Sequence, residues 1–354
     1  MMRIDQRTNL GSNRSSRLVM LTAMAIACLW CTSASGQSDR VYLNNGDVMS
    51  GRLEKVVRQG ISFKAGGKTE NIPAGDIQKV LLQGDPPGLV KGRQFALEGQ
   101  YEEALEELKS VNPNDVPRQV IGTEVQFYRL LCQAKLALSG RGDRKSVVAG
   151  LRAFAGENSN SWHFYQTAEM LGELALALGD NDRAIAYFKS LASAPTKNTK
   201  VRSKYLTGTA KLAKGDTEAA AEDLQQVAGI EADSVALAKT KTLGRIKLAE
   251  CYAKSGRNDE AIKLADAVLE DLDPLDLELA SKVYNSRGMI FEATGDFEGA
   301  VLAFLHTELM FNSVPQSHAE SLSHLAQLWA KVGKPERGAK AKQELSQRYP
   351  GYAQ

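Results

Sequence analysis

The sequence predicts a mainly α-helical protein, a right-handed α-solenoid of about seven helix pairs preceded by a small five-stranded β-barrel. Two observations support this fold class. Glycines suited to helix turns recur every 36 to 41 residues over most of the chain, and small residues recur at fixed distances from them. A short stretch near the N-terminus instead shows the alternation typical of β-strands. We therefore divide the chain into residues 1–36, 37–84, 85–88 and 89–354.

The first segment, residues 1–36, has the features of a secretory signal peptide. Four arginines precede an apolar run of 13 residues, Leu18 to Trp30, and small residues follow it. We expect cleavage near Ala34 or Gly36. A membrane anchor is the alternative, but the apolar run is shorter than the roughly 20 residues that a spanning helix needs. A lipoprotein that uses Cys28 is a further alternative, although the residues before it lack the usual leucine.

Cleavage of this segment changes what the composition implies about partners. The formal net charge of the whole chain is +2, and it falls to −1 because the segment carries four arginines and one aspartate. A mature chain without a basic excess is not expected to bind nucleic acid. We expect an exported protein of the periplasm or cell surface that is not an integral membrane protein after signal cleavage.

Two cysteines remain in the mature chain, Cys132 and Cys251, and they are 119 residues apart. An exported protein can form disulfides, but such distant positions in an elongated array rarely meet. We expect both to be small buried residues of helices.

Residues 37–84 have the pattern of a small β-domain. Asn45-Gly46 is a strong hairpin signal, and the stretch Ile61 to Lys64 alternates apolar and polar residues. Five short strands with one helical turn before the last resemble an SH3-like or Sm-like barrel. Paired prolines with flanking glycines then interrupt both strand and helix, which predicts a linker at 85–88.

From residue 89 onward the chain repeats. The turn glycines are Gly99, Gly140, Gly179, Gly215, Gly256, Gly295 and Gly333. Small residues follow five positions after most of them, at Ala104, Ala184, Ala220, Ala261, Ala300 and Gly338. Four positions further stand Leu108, Phe188, Leu224, Ala265 and Phe304. Seven positions before the glycines stand Gly92, Gly172, Gly208, Ala249, Gly288 and Ala326. Small residues let two helices approach closely, and a larger side chain fills the space one turn along.

This pattern resembles the tetratricopeptide repeat over residues 89–350. Segments that match it are GRQFALEGQYEEALEEL (92–108), LAECYAKSGRNDEAIKLA (248–265) and GMIFEATGDFEGAVLAF (288–304). Two features depart from the family: the period exceeds 34 residues, and the repeat around 126–155 is degenerate. In that repeat Arg141-Gly142 looks inserted, and Lys145 replaces the small residue.

The resemblance also implies a binding site. In this family the first helix of each pair lines a concave groove that binds extended or helical peptides. The family's groove positions correspond here to Arg202, Tyr205, Ile246, Glu250, Lys282, Asn285 and Met289, and in the N-terminal half to Phe127, Leu130, Gln166, Glu169 and Glu173. Relatives that grip a peptide carboxylate use lysine and asparagine four residues apart, whereas Lys282 and Asn285 are three apart.

The sequence offers little for catalysis. None of the four histidines pairs with another at the helical spacing of metal ligands, and we expect them to be solvated or to face a partner. Paired acidic residues on helices are read as solvated faces. We therefore expect no metal, no cofactor and no small-molecule substrate.

These observations favour a non-enzymatic scaffold of the periplasm or cell envelope that binds a protein or peptide in its groove. The alternatives are a self-associating structural envelope protein, or a non-catalytic subunit of an envelope enzyme complex.

Export is directly testable. The basic start, the short apolar run and the small residues after it predict removal of the signal. Edman sequencing of the mature protein from its host should begin between Ser35 and Ser38. An intact Met1, or a lipid on Cys28, contradicts the prediction.

Overall fold

The structure, a computed structural model, describes residues 38–352. The predicted signal peptide and its cleavage site lie outside the described residues. A β-sheet comes first and consists of β1 (Asp39–Leu43), β2 (Val48–Val57), β3 (Gly60–Ala65), β4 (Lys68–Pro73) and β5 (Ile77–Leu81). A single 3₁₀ turn, Ala74–Asp76, separates β4 from β5.

The five strands form an open antiparallel sheet in the order β4-β3-β2-β1-β5. The predicted closed barrel is therefore wrong, because no pairing joins β4 to β5 in the described part of the chain. The 3₁₀ turn between these strands lies against the helices instead. A Cβ at Gly75 would come within 2.3 Å of Thr196 Oγ1, so helical residues lie here beside the sheet.

Fourteen α-helices follow in the described residues. They are α1 (Pro87–Leu97), α2 (Tyr101–Lys109), α3 (Gln119–Leu138), α4 (Arg144–Glu157), α5 (Phe164–Ala177), α6 (Asn181–Ser190), α7 (Lys197–Lys214), α8 (Thr217–Ala228), α9 (Val235–Lys254), α10 (Asn258–Glu270), α11 (Leu277–Thr294), α12 (Phe297–Met310), α13 (Pro315–Lys331) and α14 (Pro335–Arg348). They form seven consecutive pairs, which confirms the predicted α-solenoid.

The predicted turn glycines end the first helix of every pair. All seven have positive φ angles, between 74° and 97°. Gly215 and Gly295, for example, are left-handed caps of α7 and α11. Glycine reaches this conformation without the steric cost that a side chain brings.

The predicted close approaches are also present. A Cβ added to Gly172 would lie 2.3 Å from the ring of Phe188, and one added to Gly288 would lie 2.6 Å from the ring of Phe304. Gly208 stands in the same relation to Leu224, at 2.8 Å. The large side chain of the second helix therefore fills the space that the glycine of the first helix leaves.

The degenerate second repeat nevertheless forms a helix pair, α3 and α4. Asp143 caps α4 by accepting a hydrogen bond from the backbone N–H of Lys145. Arg141 pairs with Glu102 of the first repeat. The inserted residues thus lengthen the turn without preventing the second helix.

The hydrophobic core of the sheet continues into the first repeats. Val41 and Phe63 of the sheet belong to one buried cluster with Leu108 and Val125 of the helices. At the surface, the guanidinium of Arg58 stacks 4.0 Å from the ring centre of Phe164. The division into a β-domain, a linker and an array stays a prediction about separate folding units.

A buried ion cluster joins the linker to the first three repeats. Arg93 of α1 donates to Asp85 at 2.8 Å and lies 3.9 Å from Glu124 of α3. Glu124 Oε1 also lies 2.8 Å from His163 Nε2 and accepts a hydrogen bond from Trp162 Nε1 at 3.1 Å. Arg93, Glu124 and His163 have at most 1% exposed surface.

Two of the four histidines are thus not solvated, contrary to expectation. His163 is held inside the ion cluster, and its ring stacks on Phe127 at 3.5 Å between centroids. His318 is 1% exposed, and its Nδ1 lies 2.9 Å from the hydroxyl of Tyr349. Both are buried because aromatic neighbours cover them. Both remaining cysteines, Cys132 and Cys251, are buried and unbridged, as predicted.

Close packing in the third repeat predicts opposite effects for two glycine substitutions. Gly172→Ala forces a methyl group against Phe188 and should lower the free energy of unfolding by about 1–3 kcal/mol. Gly156→Ala, on the exposed side of α4, meets nothing within 4 Å. There alanine should be neutral or stabilise by up to about 1 kcal/mol, since it is the better helix former. Urea unfolding measures both, and equal effects would show that the helices do not touch at Gly172.

Burial of His318 predicts a specific pH dependence. Burial, with help from Arg348, lowers its pKa from 6.5 to about 4 in the folded protein. The unfolded chain therefore binds an additional proton between these values, and stability falls as the pH drops from about 6.5 towards 4. Between pH 7.5 and 5 we expect His318 to account for a loss of about 2 kcal/mol.

The His318→Gln variant provides the comparison. Urea unfolding of the parent and the variant at both pH values isolates the contribution of this histidine, since the other titratable groups are shared. The variant should lose less stability on acidification. Identical losses would show that another group titrates.

Candidate partner-binding channel

The concave face of the array encloses a channel. Three cavities of about 490, 410 and 530 Å³ lie along it, each within the ~300–1,000 Å³ typical of ligand sites. Glu278 and Lys282 of α11 line all three. The three cavities therefore adjoin one another at these two side chains.

The first helices of successive pairs supply most of the channel's charged side chains. Helices α3, α5, α7, α9, α11 and α13 contribute Lys135, Glu173, Arg202, Lys247, Lys282 and Glu320 respectively. The sheet closes part of one side through Asn44, Gly75 and Gln78. Stacking of the pairs places equivalent positions of each first helix on the inner surface.

Most of these charges are paired along the channel wall, within one helix or between neighbouring repeats. Arg202 donates to Glu169 at 2.6 Å. Lys282 lies 2.8 Å from Glu278, one turn away on α11. Further pairs along the wall are Lys135 with Glu173 at 3.5 Å, Lys247 with Glu250 at 2.7 Å, and Lys239 with Asp276 at 2.7 Å. The channel therefore carries both signs of charge, mostly as neighbouring pairs.

The ion pairs favour the charged forms of their members. Lys282, with help from Lys135 and Arg202, lowers the pKa of Glu278 to about 2. Glu173 raises the pKa of Lys135, which burial opposes. Burial opposes the charged form of Arg202, but Glu169 outweighs it and the pKa rises. These groups remain ionised at neutral and mildly acidic pH.

The structure places the seven predicted groove residues at different depths. Arg202, Tyr205 and Lys282 line the channel. Ile246, Glu250 and Asn285 are at most 4% exposed, and Met289 packs against the core of the last repeats. Ile246 thus has no surface to offer, whereas Glu250 acts on the channel through Lys247. As binding residues, all seven stay predictions.

Lys282 and Asn285 do not converge on a common point. Lys282 pairs with Glu278, while Asn285 Nδ2 donates to the carbonyl of Ser317 and to Glu320 of the next repeat. Asn285 therefore joins two repeats.

Sequence reasoning placed Gln166, Glu169 and Glu173 on the groove, and all three line the channel. Phe127 is instead a core residue, 2% exposed. Lys135 and Glu278 were missed. Lys135 lies in the degenerate repeat, where the register was least clear. For Glu278 the signal was present, because it stands one helical turn before Lys282.

Three features of the described residues bear on metal sites, thiol chemistry and membrane spans. No group of three or more histidine, cysteine or acidic residues among them could hold a metal ion. Burial raises the pKa of Cys132 and of Cys251 to about 12, so neither thiol is a ready nucleophile. No helix in 38–352 has the length and apolar character needed to cross a membrane.

Comparison with known proteins supports the fold. The tetratricopeptide repeat family model matches residues 169–234 and 246–308. No curated protein matches the sequence. A solved tetratricopeptide repeat protein from Parabacteroides merdae ATCC 43184 is 15% identical, with a TM-score of 0.47 over 75% of this chain and 98% of that chain. A Rap protein complexed with competence and sporulation factor is 13% identical, with a TM-score of 0.54 over 75% of each chain.

The two matched ranges cover parts of the third to sixth helix pairs, and the remaining pairs repeat the same turn and packing positions. Tetratricopeptide repeats are generally non-catalytic modules of protein interaction, so the repeats suggest an interaction scaffold with protein partners. The chain thus carries tetratricopeptide repeats in an α-solenoid that follows a five-stranded antiparallel sheet.

Proposed function

We propose that this chain is an exported, non-enzymatic scaffold of the periplasm or cell envelope that binds an extended segment of a partner protein in its channel. The observation that carries the proposal is the row of ion pairs along the channel wall. One of these pairs, Glu278 with Lys282, lines all three cavities. Export rests on the arginine-rich, apolar start of the sequence.

The chemistry of the channel suits a polypeptide better than a small charged ligand. Each cation of the wall that faces the channel at Arg202, Lys247 or Lys282 is already paired with a carboxylate, so a ligand with a single strong charge meets both signs together. An extended backbone presents N–H and C=O groups in alternation, and both find partners along such a wall. Tyr205 and Leu243, each 7% exposed, add small apolar patches to the wall.

The fold relative offers a parallel. The Rap protein was solved in a complex with competence and sporulation factor, which is consistent with ligand binding by an array of this shape. The identity of 13% relates the two folds only, so the partner of the present chain is inferred from its own channel.

Self-association is the second candidate, and one surface favours it. On α12, Leu302, Leu309 and Met310 are each more than 60% exposed. Exposed apolar residues grouped on one helix are typical of interaction surfaces. Light scattering of the purified chain distinguishes a monomeric scaffold from a self-assembling protein.

The channel predicts which charges a partner needs. Replacement of Glu278 and Lys282 together by alanine removes the pair shared by all three cavities without changing the net charge. The side chain of Glu278 is 72% exposed, so the fold should persist. Recovery of the partner from envelope extract should fall by tenfold or more, about 1.4 kcal/mol.

The control is the double variant Arg257→Ala with Glu260→Ala. This pair is also an exposed ion pair within one helical turn, with side chains 47% and 57% exposed, but it does not line the channel. Partner recovery should match the parent. If the two double variants bind alike and both are folded by circular dichroism, the channel is not the binding site.

A further inference from the structure

Gly351 and Tyr352, the last described residues, follow the seventh helix pair and also lie against the second helix pair, five pairs earlier in the chain. The backbone N–H of Gly351 donates to the carbonyl oxygen of Gly140 at 2.7 Å. In an open solenoid each repeat contacts only its neighbours. This contact therefore does not follow from stacking, and it closes the side of the channel between the last repeat and the second.

The two segments fit closely. A Cβ on Gly140 would lie 2.4 Å from the backbone nitrogen of Tyr352 and 2.8 Å from its Cα. A Cβ on Gly351 would lie 2.9 Å from the carbonyl oxygen of Gly140. The guanidinium of Arg144 lies 5.8 Å from the centre of the Tyr352 ring. We call these surroundings of Gly351 and Tyr352 the tail seat.

The tail seat lies in the one repeat that departs from the family pattern. Six of the seven turn glycines have open space around them, since an added Cβ meets nothing within 4 Å. Only at Gly140, among the seven, does a chain segment fill that space. The insertion after Gly140 contributes Arg141, which bonds the neighbouring repeat through Glu102. The unusual turn therefore forms a seat.

The seat opens into the channel. Tyr352 borders the 410 Å³ cavity, together with Leu138, Arg144 and Glu320. Burial raises the pKa of its hydroxyl, and Glu320 adds to the effect. The surroundings combine an apolar wall, a guanidinium and a backbone carbonyl that accepts a hydrogen bond. This combination suits a segment in which an aromatic residue follows a glycine, as Tyr352 follows Gly351.

We propose that the tail seat is a binding subsite for a glycine–aromatic segment of the partner, and that the chain's own tail occupies it until the partner displaces it. The proposal rests on the proposed function of the channel, and it adds a sequence preference for the partner segment, a glycine followed by an aromatic residue. A partner segment that enters the seat continues into the adjoining cavity, so its neighbouring residues reach Lys135 and Arg202. Release of the tail opens the side of the channel at the same time.

The test uses the chain's own tail as the probe. A fluorescein-labelled Gly-Tyr peptide with the sequence of residues 351–352 alone, amidated at its C-terminus, is titrated with two proteins, because residues 346–350 stay in place in both and Tyr349 is only 3% exposed. One is the mature chain, and the other is the same chain ending at Pro350. The tail of the mature chain is present at a high effective concentration. We therefore expect the peptide to bind the shortened chain about tenfold or more tightly than the mature chain.

Two matched variants locate the site. Gly140→Ala and Gly295→Ala place alanine at similar φ angles, +82° and +85°, but only the first collides with a bound segment. In the shortened chain, Gly140→Ala should abolish peptide binding and Gly295→Ala should leave it unchanged. A Tyr352→Ala peptide should bind neither. If the shortened chain is unfolded by circular dichroism, the full-length Tyr352→Ala variant takes its place.

The outcomes separate this proposal from the function of the channel. Equal peptide binding by the mature and shortened chains, or by the two glycine variants, overturns the tail seat. If partner recovery still depends on Glu278 and Lys282, the channel stands without the seat. If the peptide binds as expected but those residues do not matter, the seat stands and the proposed route along the channel falls.

Discussion

The architecture depends on one repeated constraint, the close approach of the two helices in each pair. A glycine or alanine on the first helix and a leucine or phenylalanine on the second share one space; a Cβ added to Gly172, for example, would lie 2.3 Å from the ring of Phe188. Helices packed this closely have few orientations relative to each other, because ridges of side chains must fit grooves. Seven consecutive pairs with the same packing form a superhelix, and the channel lies on its inner surface.

A second constraint fixes the N-terminal end. A buried ion cluster joins four parts of the chain: Asp85 of the linker, Arg93 of α1, Glu124 of α3 and His163 of the turn before α5. Burial opposes the ionisation of Glu124, but His163 and Arg93 outweigh it and lower its pKa. Removing one member of such a cluster leaves an uncompensated charge, at a cost of about 3–5 kcal/mol. The cluster thus specifies one arrangement of the linker against the first repeats.

The sequence predicted local features well and non-local features poorly. Turn glycines and small packing residues act within about 20 residues, so their spacing alone indicated the pairs and Gly172 against Phe188. Burial of His163 was not predictable in this way, because its partner Glu124 is 39 residues away in a different repeat. The prediction of a closed barrel was wrong for a related reason. The turn at Gly75 packs on Thr196, and strand periodicity does not reveal this contact.

For the channel, too, the sequence indicated which helices line it but not how it is closed. Family positions identified the first helices, and hence Arg202 and Lys282, but they assumed an open groove in which any inward residue is accessible. The contact between Gly351 and Gly140 closes that groove. Most charged groups of its wall are paired with a neighbour on the same helix or the next repeat, so they are not free to bind a ligand. A partner must therefore replace some of these ion-pair contacts with its own, because few charged groups of the wall are unpaired. Binding to such a wall should therefore select partners by the pattern of their polar groups more than by their net charge.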